Sequence, residues 1–345
     1  MNPQAQPLAD REAVDWLHRA ERLQEQVANV IIGQSRVIRL LAVAVFARGH
    51  VLLEGDVGVG KTTILRSLAR TVGGAYERIE GTIDLMPGDI VYHTFIADDG
   101  RPRVEPGPIL RQGDALSVFF FNEVNRARPQ VHSLLLRIMA ERCVTAFNAE
   151  HAFPHLTVFA DRNRIEREET FELPAAARDR FLMEVSVGVP ADEASLRALM
   201  FDPRYHDVDA LIEALPEGIV PYRELNALGA RLQRTIHVSP SLQDYLFRLW
   251  GALRRPDLNA VRFDAADTKR LIAGGGSPRG MSFLVRAARV HAWLEGRDHV
   301  LPEDVHAVFF ECVAHRMFFH PVYEHRREEI ARPFLDAVLH AVPAP

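Results

Sequence analysis

The feature that most constrains this chain is the run Gly55-Asp-Val-Gly-Val-Gly-Lys61-Thr62, which satisfies the spacing G-x-x-x-x-G-K-[ST] and lies between an apolar strand and a helical run. Each part has a physical task. Gly55, Gly58 and Gly60 let the backbone N–H groups of the loop, Val57, Val59 and Thr63 among them, converge on phosphate oxygens. The start of the following helix adds its positive end, Lys61 neutralises the β and γ phosphates, and the Thr62 hydroxyl is placed to ligate Mg²⁺. A glycine-rich turn before a helix could arise by chance, but strand, loop, lysine and hydroxyl together point to ATP held with Mg²⁺.

The surrounding pattern gives the loop a fold. His50-Val-Leu-Leu-Glu54 and Ser117-Val-Phe-Phe-Phe121 are short apolar runs of the kind buried on both faces of a parallel sheet, as is Leu156-Thr-Val-Phe-Ala160, and Tyr76 to Glu80 is a further strand. Helices are expected from Asp10 to about Val30, from Gln34 to Arg48 and from Pro129 to Arg142. Residues 82–112, rich in Pro, Gly and Asp, read as an inserted loop or hairpin more than a packed core. Val144–Phe147 and His151–Phe153 read as a hairpin turning at Asn148-Ala-Glu150. From Pro190 the pattern changes to amphipathic helices. The expectation is an α/β fold with a parallel sheet flanked by helices over residues 1–189, followed by a smaller all-helical domain over 190–345.

A phosphate-binding loop of this type needs a second strand ending in acid, and Phe119-Phe-Phe-Asn122-Glu123 has the required apolar lead. Glu123 reads as the general base that polarises the attacking water. The metal-shell position is Asn122, an acceptor without charge. Hydrogen bonds to charged groups contribute about 1.5–3 kcal/mol against about 0.5–1.5 for neutral ones, so Asn122 should weaken Mg²⁺–nucleotide binding or turnover about tenfold.

The 345 residues, with 48% hydrophobic and 25% charged, match a folded chain with a sizeable core. The 41 basic and 46 acidic residues leave a net charge of −5, so no global field favours nucleic acid or an anionic membrane. The two cysteines, Cys143 and Cys312, form neither a disulfide framework nor a paired zinc motif. Neither a leader pattern nor a membrane-length apolar run is present, and a cytoplasmic setting is expected. Cys312 and His315 stand at i,i+3 without an acidic companion and read as core or solvated side chains. Trp16, Trp250 and Trp293 read as core packing, and residues 162–169, mixed in sign, as a solvated or interface strip.

Beyond single motifs, the chain resembles the MoxR-type AAA+ ATPases. The blocks that carry the likeness run from Val30-Ile-Ile-Gly-Gln34 through the phosphate loop, Asp84-Leu-Met-Pro-Gly-Asp-Ile90, Gly107-Pro-Ile109, Asn122-Glu-Val-Asn-Arg126 and Ala140-Glu-Arg-Cys-Val-Thr145. They continue through Leu173-Pro-Ala-Ala-Ala-Arg-Asp-Arg-Phe181, Gly276-Ser-Pro-Arg279, Gly296-Arg-Asp298, Pro302-Glu-Asp-Val305 and His315-Arg316. The resemblance implies an AAA+ core with a helical lid, a ring that is usually a hexamer, and ATP hydrolysis that remodels a client or adaptor, one with a von Willebrand factor A-type domain among the candidates. It implies Asn163 as sensor 1, Arg180 as an arginine finger reaching a neighbour's ATP, and Arg279 as sensor 2, following the cap and first-turn pair Ser277-Pro278. Ile31 and Ile32 would pack near the adenine. The sequence departs from the family at Asn122, at Asp161-Arg-Asn-Arg164 where Thr-Gln-Asn-Pro is usual, at Ala175 and at Val57. Two other readings follow from the same residues: an assembly scaffold that binds nucleotide with little turnover, which Asn122 favours, and a nucleic-acid translocase, which the acidic balance disfavours.

Overall fold

Seven consecutive residues of Leu116–Asn122 are buried, and this strand stands inside a five-stranded sheet as its hydrophobicity demands. Phe119, Phe120 and Phe121 are each 0% exposed, and burying such a side chain contributes about 1.5–3 kcal/mol. The computed structural model describes residues 10–163 and 171–345. The strip 162–169 and Arg164 therefore fall almost wholly outside the described residues, as does the polar start of the chain.

The strands in chain order are β1 (His50–Glu54), β2 (Ala75–Glu80), β3 (Tyr92–Ile96), β4 (Pro102–Pro106), β5 (Leu116–Asn122), β6 (Cys143–Ala146), β7 (Ala149–Ala152), β8 (Thr157–Arg162), β9 (Phe181–Ser186), β10 (Ile272–Gly274) and β11 (Phe318–Phe319). The main sheet has the order β2-β5-β8-β1-β9, and β2–β5, β5–β8 and β8–β1 pair in parallel. Three helices precede or follow these strands as the sequence indicates: α1 (Asp10–Val30), α2 (Ser35–Phe46) and α3 (Lys61–Val72). α3 buries Ile64, Leu65, Leu68, Ala69 and Val72 at helical spacing.

Three details of the strands and of the insert differ from the sequence reading. The strand β9 was not foreseen; its apolar Phe-Leu-Met run is short and follows the Asp-Arg pair that drew attention to charge. Within residues 82–112, the hairpin of β3 and β4 is exposed along its whole length, yet the short helices beside it, α4 (Pro87–Val91) and α5 (Pro108–Arg111), bury Ile90, Val91, Ile109 and Leu110 in the main core. The insert is thus anchored by its stem. In the β6–β7 hairpin the turn falls at Phe147-Asn148, both with positive φ (53° and 59°), one position earlier than expected. That pair of left-handed residues matches the twist of a two-residue hairpin.

The chain divides into two compact units, one formed chiefly by Glu12–Phe181 and Val185–Leu228, the other chiefly by Gly229–Pro345. The helical pattern that begins at Pro190 therefore starts within the sheet-bearing unit. Side chains explain the grouping: Arg70 Nε donates to Leu215 O (2.8 Å), Arg66 pairs with Asp209 (2.6 Å), and Arg48 Nε donates to Asn226 Oδ1 (2.8 Å). The second unit is mainly helical and also carries the small antiparallel β10–β11 pair, so it is not helical throughout. It buries Trp293, Cys312 and His315, while Trp16 is buried in the sheet-bearing unit.

In the second unit a buried carboxylate organises a helix start. Asp304, 0% exposed, accepts from the Leu301 N–H (2.8 Å) and from Arg297 Nη2 (2.5 Å), and its other contact is His291 Nδ1 (2.7 Å). Burial alone would raise its carboxyl, but His291, the Leu301 amide and Arg297 outweigh this and hold it below its ordinary value. A carboxyl depressed in the folded state stabilises above its unfolded value near pH 4, and that contribution is lost as pH falls through the folded value. Chemical denaturation between pH 7 and pH 3 should therefore show stability falling below about pH 4, and Asp304→Asn should remove part of that slope while lowering stability at pH 7. Equal slopes in the two proteins would refute this role for Asp304.

Candidate functional site

The strand order places the carboxyl ends of β1, β8 and β5 side by side, and this is where an open parallel sheet gathers ligand groups. From β1 the chain enters the loop 55–60. Gly58 and Gly60 have φ of 81° and 87°, the left-handed region that residues with a Cβ enter at a cost, and Gly60 leads directly into α3. Open space surrounds both Cβ positions, so backbone conformation and not crowding selects glycine here. Val57 at the loop tip is 72% exposed, whereas Thr62 and Thr63 in the first turn of α3 are half-buried.

Lys61, only 7% exposed, turns back under the loop. Its Nζ donates to Gly55 O (2.6 Å), Asp56 O (3.3 Å) and Asn163 Oδ1 (2.6 Å), and it lies 3.5 Å from Asp161 Oδ2. Asn163 in turn donates through Nδ2 to Glu123 Oε1 (3.2 Å). Lys61, Asn163 and Glu123, expected from the motif and the resemblance to act as phosphate lysine, sensor amide and general base, thus form one connected chain of contacts.

Glu123 follows β5 in a left-handed conformation, φ 51°, unusual for a residue with a side chain. Its backbone N–H donates to Asp161 Oδ1 (2.5 Å), its carbonyl accepts from Arg126 N (2.9 Å), and its carboxylate pairs with Arg126 Nη1 (3.0 Å). Gly81, at the end of β2, donates to Asn122 O (2.7 Å) and passes so close that a Cβ there would stand 2.2 Å from the Glu123 carbonyl oxygen. Asn122 itself is buried at 7% exposure.

Asp161 was noted in the sequence only as a departure from the family pattern. It is 1% exposed and touches both Lys61 and the Glu123 backbone. Burial pushes its carboxyl up, against the opposing influence of the Glu123 amide and the Lys61 charge. The available signal was an acid directly after the apolar run Leu156–Ala160, one strand away from the uncharged Asn122.

The remaining candidates lie elsewhere. Ile31 is buried and Ile32 half-buried at the end of α1, beside a segment in which Gln34 Nε2 donates to Gly188 O. Arg180 is half-buried, with Nη1 donating to Ala176 O (2.8 Å) one turn back. Arg279 is exposed at the second position of the helix Pro278–Leu294, in the other compact unit, where Ser277 Oγ accepts from Gly280 N (2.9 Å) as a cap. The connected set is therefore Lys61, Asn163, Glu123 and Asp161, with the half-buried Thr62 next in sequence to the lysine. Open positive-φ glycines, a buried ammonium with a threonine next to it in the chain, and buried oxygen acceptors suit a phosphate chain with a hard divalent cation.

Comparison with known proteins agrees with this architecture. The family model described as "ATPase family associated with various cellular activities (AAA)" matches residues 50–183, and the AAA lid domain model matches 264–334. Protein MoxR of Methylorubrum extorquens is 58% identical over 336 residues, covering 97% of this chain and 98% of that protein. This chain belongs to the MoxR family of AAA+ ATPases. Chaperone MoxR1 of Mycobacterium tuberculosis, a more distant MoxR relative, is 33% identical and covers 95% of this chain and 83% of its own length. A crystal structure of a candidate ATPase from Cytophaga hutchinsonii superposes with a TM-score of 0.83 at 27% identity, covering 97% of this chain and 98% of its own. At the level of its family the chain is an AAA+ ATPase-type protein. Among the described residues no helix is long and apolar enough to cross a membrane.

The Lys61–Asp161 pair is buried on both sides, with side-chain exposures of 8% and 2%. Removing one member of a buried ion pair leaves the other uncompensated, at about 3–5 kcal/mol. Lys61→Ala should thus lower the stability of the nucleotide-free protein by about 3 kcal/mol, and Asp161→Asn in the same chain should recover part of the loss. Urea unfolding of the four proteins of this cycle measures it; strictly additive losses would contradict the pairing.

Proposed function

We propose that the chain binds ATP with Mg²⁺ at the carboxyl edge of its sheet and hydrolyses it to drive remodelling of a client protein. The observation that carries this is the chain of contacts from Lys61 through Asn163 to Glu123, which brings phosphate-neutralising, sensing and base groups within hydrogen-bond reach of one another. In this reading the loop amides and Lys61 hold the triphosphate, Ile31 and Ile32 flank the adenine, and Thr62 and residue 122 face the metal. Bound Mg²⁺ would supply charge neutralisation at the phosphates. Glu123 accepts the proton of the attacking water, and Asn163, already bonded to its carboxylate, orients that water or reports the γ-phosphate.

The arginines extend the reading beyond one chain. Arg180 is assigned as the finger that completes a neighbour's site, and Arg279, at a capped helix start in the second unit, as the sensor that couples the lid to nucleotide. A finger acting between subunits requires a ring, proposed to be a hexamer, with a client or adaptor that includes proteins bearing a von Willebrand factor A-type domain. The rival reading, a nucleotide-dependent assembly scaffold, keeps binding but dispenses with turnover, and Asn122 is the residue in its favour.

Phosphate release separates the two. Glu123→Gln should lower turnover by at least about 100-fold while leaving ATP affinity within a few-fold, since general-base removal acts on the chemical step. A wild type with no Glu123-dependent turnover would favour the scaffold. Arg180→Ala should lower turnover by about 1,000-fold or more, yet regain a measurable fraction when mixed with Lys61→Ala chains. In mixed rings some interfaces pair an intact loop with an intact Arg180. Absence of any recovery in demonstrably mixed rings would remove Arg180 from the neighbour's site.

A further inference from the structure

The strand that should end in a metal-shell acid ends in Asn122, and the adjacent strand carries an acid at the neighbouring position. β5 and β8 pair in parallel with Phe121 opposite Ala160, so the next residues along each strand are Asn122 and Asp161. Both are buried, at 7% and 1% exposure. Asp161 is also paired with Leu53 of β1, one residue before Glu54 and two before the loop begins. Its carboxylate stands between the two groups that define the site: Oδ1 accepts from the Glu123 amide at 2.5 Å, and Oδ2 is 3.5 Å from Lys61 Nζ.

We propose that Asp161 carries the negative charge that Asn122 lacks, so that the acidic site of this chain is intact but transposed by one strand. The inference rests on the reading of the loop as an ATP–Mg²⁺ site. In this arrangement Asp161 has two duties. Without nucleotide it is the counter-charge that lets Lys61 be buried. With nucleotide bound, Lys61 would engage phosphate, and the carboxylate would supply negative charge toward the cation while still accepting from the Glu123 N–H. Asn122 then serves as the neutral neighbour, since a second carboxylate in the adjacent register position would repel the first.

The test reads the metal dependence of binding and not turnover. ADP affinity is measured by calorimetry in Mg²⁺ and in EDTA for wild type, Asn122→Asp, Asp161→Asn and the double variant Asn122→Asp/Asp161→Asn, each with its melting temperature. Wild type should gain at least about tenfold in affinity from Mg²⁺. Asp161→Asn should lose most of that gain without binding more weakly in EDTA, and the double variant should recover it to within about threefold of wild type. Asn122→Asp alone should add no further gain. Retention of the full Mg²⁺ gain by a folded Asp161→Asn would overturn the proposal, as would a tenfold increase in the gain of Asn122→Asp. Should Asp161→Asn fail to fold, Asn122→Asp and the double variant decide the matter. A wild type that takes up no ADP under either condition would sink the ATP-site reading itself, a result distinct from any pattern among the variants.

Discussion

A single buried ammonium organises the sheet edge. Lys61 is almost fully removed from water, and a charge in that position persists only if fixed dipoles and an opposite charge replace its hydration. Two loop carbonyls, the Asn163 amide oxygen and the Asp161 carboxylate do so. These groups come from segments far apart in sequence, and only the strand order β5-β8-β1 brings them together. The energetic requirement of one side chain thus ties the loop after β1 to the end of β8, and through Asn163 and Asp161 to Glu123 after β5.

That tie explains why Glu123 can occupy a conformation most residues avoid. A left-handed residue with a side chain persists where its surroundings over-determine it. Here its N–H, its carbonyl and its carboxylate each have a partner, and Gly81 yields the space its carbonyl needs. The consequence is a carboxylate aimed by backbone constraint more than by rotamer choice. In the proposed role of general base, a carboxylate held this way would lose little freedom when it meets its proton, which is what positioning contributes to a chemical step.

The sequence made much of this legible because its strongest signals are local. Strand, glycine loop and helix are contiguous, and β5 is apolar without interruption, so the loop and the Asn122-Glu123 pair could be placed from composition and spacing alone. What stayed hidden depends on neighbours distant in the chain. Asp161 was visible as an unusual residue, but its meaning depends on the β5–β8 register. The edge strand β9 has only a short apolar core. The helices between 193 and 228 look like the start of a second domain by pattern, and contacts between distant residues, the side chains of Arg48, Arg66 and Arg70 and the backbone bonds of Gly218 and Val220 to Arg70 and Thr71 among them, bind them to the sheet unit. The stem of the insert looked like loop because Pro and Gly dominate it, while four scattered apolar residues do the anchoring.

The charge count at the site favours the uncharged residue at 122 on electrostatic grounds. Within the cluster, Lys61 and Arg126 bring two cations, and Asp161 and Glu123 bring two carboxylates, each carboxylate close to one cation. An acid at position 122 would add a third negative group beside the more buried of these carboxylates, with Arg126 already engaged by Glu123 and Lys61 by Asp161. Like charges confined at such a depth cannot all ionise without cost, so residues 122 and 161 are coupled, and the identity of one sets what the other can be. On this argument Asn122 is the complement of Asp161 and not a lesion in the acidic site.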